Sequence, residues 1–215
     1  MLRRYIQASA VALGCILSGA LVFAQVGDTE GIKATERFVK AGDEALAAIY
    51  QARAQVEATL NAYVTLTETP GGNLKNEYKK VLKATDDANK KLAAVTPRMD
   101  AMKQQAEAYF ALREATIAKI ADPGLRKTAD DRLAASKADF NRVTVAVSDA
   151  GGALAPFMKD LGDHIQFLGA DLQKSALAAL KPDALKLKGQ AATLFGKTDD
   201  AVKTAKAYFG EMRTK

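Results

Sequence analysis

Tryptophan is absent from this sequence, histidine occurs once, at position 164, and cysteine once, at position 15. A lone cysteine closes no disulfide within the chain. One histidine without further thiols falls short of the donor set of a structural zinc site. Past the N-terminal segment serine is confined to Ser136, Ser148 and Ser175, and none stands in the Gly-x-Ser-x-Gly turn that exposes a hydrolase nucleophile. Gly71-Gly72 precedes no Gly-Lys-Ser/Thr, so it is not a phosphate loop. No run alternates apolar and polar residues as a half-buried strand does. Aromatic residues make up only 7%, which predicts a thin core of small side chains.

What is present begins with a leader. Leu2-Arg3-Arg4 is basic, Ala8 to Ala24 is nearly all apolar, and Val22-Phe23-Ala24 ends the run. That pattern predicts a secretory signal over residues 1–24, cleaved before Gln25, and an exported, periplasmic or envelope-associated chain. A retained membrane anchor and lipid attachment at Cys15 are the alternatives. Charge is distributed unevenly behind it. Residues 25–180 hold 21 basic and 21 acidic side chains, whereas residues 181–215 hold 8 and 4. All the positive excess of that stretch therefore lies at the C-terminus.

The remainder reads as helices. Gly42, Ala45, Ile49, Ala52, Val56, Thr59, Tyr63 and Leu66 step alternately by three and four, the seam of a helix packed on helices. Thr69-Pro70-Gly71-Gly72-Asn73 then breaks the helix and caps the next. The same stepping resumes from Leu74 to Tyr109, and Pro97 falls inside it as a kink. Asp122-Pro123 opens a third helix whose stripe includes Leu133, Val143, Phe157 and Leu161, with a bend expected at Gly151-Gly152 and Pro156. Beyond Pro182, residues Leu185, Ala192, Phe195, Val202, Phe209 and Met212 suit an amphipathic helix with a basic face. The expected fold is all-α: an elongated, antiparallel, coiled-coil-like bundle with helices over 29–68, 74–121, 123–180 and a shorter one over 183–212. Residues 25–215 form one domain.

Several phrases occur in an order that carries a family resemblance. They are Gly71-Gly72-Asn73-Leu74-Lys75-Asn76-Glu77-Tyr78, Ala108-Tyr109-Phe110, Asp122-Pro123-Gly124-Leu125-Arg126, Pro156-Phe157-Met158 and Asp163-His164-Ile165-Gln166-Phe167-Leu168. Over roughly residues 32 to 209 the chain resembles the bacterial family of domain of unknown function 2959, secreted or lipid-anchored helical envelope proteins. The resemblance implies a helical fold and an envelope location. It brings no catalytic residues and no cofactor.

The chemistry available from the residues alone is sparse. His164, with Asp160 one turn earlier, reads either as a general base or metal ligand or as a helix residue in an i,i+4 pair. Asp86-Asp87, Asp130-Asp131 and Asp199-Asp200 lie among cations and read as solvated faces. No catalytic, cofactor or metal residue is assigned, and nucleic acid is an unsuitable partner for want of aromatic interleaving. Lys181, Lys186, Lys188, Lys197, Lys203 and Lys206 are the candidate contacts to an anionic membrane or cell-wall surface. The expected role is a non-enzymatic scaffold or interaction protein that packs an envelope protein or a second copy. The alternative is peripheral surface binding through the C-terminal helix.

Overall fold

The computed structural model describes residues 19–68 and 72–213, with side chains from Thr29 onward. Six helical segments follow one another: α1 (Gly19–Glu68), α2 (Leu74–Ala93), α3 (Val95–Ile117), α4 (Pro123–Ala170), α5 (Lys174–Ala179) and α6 (Lys181–Arg213). The expected signal, with Cys15, lies outside the described residues up to position 18, and α1 begins ten residues before the expected start.

The hairpin between the first two arms forms as its sequence requires. Although residues 69–71 are outside the described set, α1 ends at Glu68 and the Asn73 side chain accepts a hydrogen bond from the Asn76 N–H at 3.2 Å. That carbonyl satisfies one of the orphan donors at the start of α2. Lys91 reaches Gln51 and Arg98 reaches Glu44, so α2 and α3 run back along α1. At the next reversal the Asp122 carboxylate accepts from Leu125 N–H at 2.7 Å, and Pro123 occupies the first turn of α4.

α6 runs antiparallel to both α1 and α4. Arg53 pairs with Asp199 and Lys188 with Glu68, while Gln190 bonds Asp160 and Tyr208 bonds Ser136. The arms α1, α2–α3, α4 and α6 therefore make an up-down-up-down four-helix bundle. Packing is close between α1 and α2–α3 and between α4 and α6, and much looser between α2–α3 and α4.

Three sequence expectations need correction. The second helix is divided, with Ala94 as a turn, because Pro97 has no N–H for the Ala93 carbonyl four residues back. Pro97 becomes the third residue of α3, where an N–H would lack a helical partner anyway. The third helix, expected over 123–180, ends at Ala170: α4 stays helical through both glycines and Pro156, which are exposed while Ala150, Phe157 and Leu161 are buried. Burial of an apolar face outweighs local propensity here. The interruption falls instead at 171–173, and the short α5 buries Ala176 and Leu177 before α6 starts. There the Tyr78 hydroxyl donates to the Ile165 carbonyl, and a Cβ at Gly169 would sit 2.6 Å from the Tyr78 hydroxyl oxygen.

The third correction concerns the register of α6. Leu185 is 67% exposed and Ala192 is exposed, whereas Ala184, Leu187, Ala191, Leu194, Ala201 and Ala205 are buried. The true stripe runs one residue earlier, although Val202, Phe209 and Met212 are buried as expected.

Two cores occupy the bundle. One gathers Tyr63, Val81, Phe157, Leu161, Leu168 and Leu187. The other surrounds Phe38, whose ring lies 5.2 to 6.0 Å from those of Tyr109, Phe110, Phe140, Tyr208 and Phe209. Six aromatics thus cluster at one end, while Tyr63 and Phe157 anchor the other core among leucines and alanines.

Candidate functional site

At the aromatic end, residues 31–39 of α1, the C-terminal parts of α3 and α6 and the first turns of α4 border an open cleft of about 1400 Å³. Its apolar lining includes Ile32, Val39, Leu133 and Met212, and Tyr109 and Tyr208 add two phenols. Burial pushes the Tyr208 phenol up to about 12, against a weaker opposing effect of its hydrogen bond with Ser136, so it is protonated at neutral pH. The α3–α4 wall carries Arg113, Lys119 and Arg132, and the α1–α6 side carries Glu36 and Glu211. Arg213 is held by Asp43, and Asp139 by Arg142. None of Arg113, Lys119 and Arg132 has an ion-pair partner among the described residues. These residues come from four separated stretches, so no motif announces them. The signal available was the tight reversal at Asp122-Pro123, which sets Lys119 close in sequence to the arms bearing Arg113 and Arg132.

His164 lies at the other core. Its partner is Tyr63 of α1: the hydroxyl and Nδ1 are 2.9 Å apart and the rings 5.7 Å. Burial, then the charge of Asp183, raises the Tyr63 phenol to about 12. Asp160 turns elsewhere, accepting from Gln190 at 2.8 Å with Lys186 at 4.0 Å. The Gln190 bond holds its carboxyl below the usual range. His164 still adds a weaker electrostatic effect on Asp160, but its own hydrogen-bond partner is the cross-helix phenol. Among the described residues no three His, Cys, Asp or Glu side chains converge to hold a metal.

The acidic doublets are engaged on helix surfaces: Asp87 with Lys83 and Lys90, Asp131 with Lys127, Asp199 with Arg53. The C-terminal lysines divide into two groups. Lys188 pairs with Glu68 at 2.5 Å, Lys186 approaches Asp160, and Lys206 donates to the Tyr50 hydroxyl with its ammonium 4.8 Å above that ring. Lys181, Lys197 and Lys203 are exposed and have no ion-pair partner among the described residues. Asp199, Asp200 and Glu211 share the exposed side of α6, so no uniformly basic face results. No described helix is long and apolar enough to cross a membrane.

No curated protein and no solved structure matches the chain. A family model does, the one described as protein of unknown function (DUF2959), over residues 24–212. That span takes in α2 to α5 and nearly all of α1 and α6, so the chain belongs to the DUF2959 family.

Proposed function

We propose that this protein is a non-enzymatic helical interaction protein of the bacterial cell envelope, a scaffold that offers an extended surface to another envelope component. The end cleft carries this reading. At about 1400 Å³ it is larger than the usual small-molecule pocket, and it is open. Its exposed Arg113 and Arg132, with Tyr109, Tyr208 and Met212, are the residue types enriched where proteins bind one another. Cations on one side and carboxylates on the other add a charge pattern by which a partner can be oriented.

A photo-crosslinking residue placed at Leu112, on the cleft wall, tests this in the producing cell. One discrete adduct, absent when the same group is placed at Lys197, supports the reading. Absence of any adduct at Leu112 with the protein folded and exported refutes it. Recovery of the chain in the cytoplasmic fraction refutes the envelope location.

Peripheral attachment to an anionic surface is the second reading. It is favoured by Lys181, Lys197 and Lys203, which have no ion-pair partner among the described residues.

A further inference from the structure

Midway along the bundle the two cores separate, and a slot of about 130 Å³ remains between them. All four arms contribute to it, through Val56, Leu92, Val95, Val147, Leu154 and Phe195. Two polar side chains reach its lining, Thr198 and Arg53. The Thr198 hydroxyl is committed to the Leu194 carbonyl at 2.8 Å. Arg53 donates to Glu57 at 3.0 Å and to Asp199 at 2.9 Å, with its guanidinium 4.8 Å from the centre of the Phe195 ring, and only its buried Nε–H is left without a hydrogen bond among the described residues.

A buried water needs two to four polar partners, and this lining leaves few to offer. An apolar cavity of about 150 Å³ stays dry and admits a benzene-sized guest, so this slot has the right scale for hydrocarbon. It is half-open, which lets a guest longer than the slot continue outward and favours a chain over a compact ring. The charges at its edge select among chains. Two carboxylates, Glu57 and Asp199, meet one guanidinium there, and the surplus negative charge repels an anionic head.

We propose that the slot binds a single unbranched hydrocarbon chain with an uncharged or cationic head group. This goes beyond the interaction role, and neither depends on the other. The probes are 1-octanol, octyltrimethylammonium and octanoate below micellar concentration, titrated into the intact protein and followed by methyl NMR. The expected result is saturable shifts of the Val56, Val147 and Leu154 methyls with the first two probes, and binding of octanoate weaker by about tenfold or more. Ala150→Leu fills the slot and should abolish those shifts while leaving the helical circular dichroism intact. Should that variant fail to fold, Leu92→Phe narrows the slot from a half-buried position and serves in its place. Shifts scattered over the surface, no saturation, octanoate binding as tightly as octanol, or unchanged binding in the filled variant would each overturn the proposal.

Discussion

Gly42 of α1 lies directly under the ring of Phe209 of α6, so close that a Cβ at position 42 would overlap three of the ring carbons. The glycine is therefore a packing residue, despite standing inside a helix where it costs about 1 kcal/mol relative to alanine.

Gly42→Ala should consequently destabilise the protein by about 1–3 kcal/mol, because displacing Phe209 from a filled core exceeds the propensity gain. Gly210→Ala meets no neighbour within 4 Å and should stabilise by up to about 1 kcal/mol. Urea denaturation of the two variants compares the opposite signs directly.

Pro156 sits outward in the unbroken α4, with no N–H to donate to the Gly152 carbonyl. Pro156→Ala restores that bond and should raise stability by about 1–3 kcal/mol. A fall in thermal midpoint would mean that the ring packs usefully where it stands.

Phe38 touches five aromatic rings and is completely buried. Phe38→Ala should cost about 3–5 kcal/mol by opening a cavity, and Phe38→Leu substantially less. Equal losses for both would place the cost in ring geometry instead of volume.

Tyr63 and Tyr208 ionise near 12 in the folded protein, against 10.0 for a free phenol. Between those values the native state holds protons that the unfolded state has released, so stability falls as pH rises. The contribution is complete below pH 10.0 and is lost as pH climbs toward about 12. Ultraviolet titration of tyrosinate should show a late phase that coincides with loss of helix and shrinks in Tyr63→Phe and Tyr208→Phe.

Surface attachment makes a separate demand. If Lys181, Lys197 and Lys203 hold the protein to an anionic surface, pelleting with anionic liposomes or cell-wall sacculi should fall steeply with salt, since screening sets in over about 10 Å at 0.1 M. Replacing all three by glutamine should then abolish pelleting and leave neutral liposomes unaffected. Pelleting that survives the replacement would remove these three lysines from consideration.

The arms and their reversals were legible because proline, glycine and capping side chains are read locally. Asn73 and Asp122 cap where the sequence says they should. The register of α6 was not, because alanine-rich stripes one residue apart look equally apolar, and only the neighbours choose Leu187 over Leu185. Phe38 was missed as a centre because its five partners come from α3, α4 and α6, far away in sequence. The end cleft was hidden for the same reason: Arg113, Lys119 and Arg132 acquire meaning only when two helix ends meet. His164 was flagged, but its phenol partner lies 101 residues away and no spacing rule points to it.

The separation of the two cores by a thin apolar slot also bears on how the molecule comes apart. The two cores share no residue, and α1, α4 and α6 are the continuous rods that join them. Such a bundle has two cooperative units in series, each able to open while its neighbour stays closed. Amide protons around Phe38 and around Tyr63 should then exchange with different free energies, and force applied along the long axis should be released in two steps.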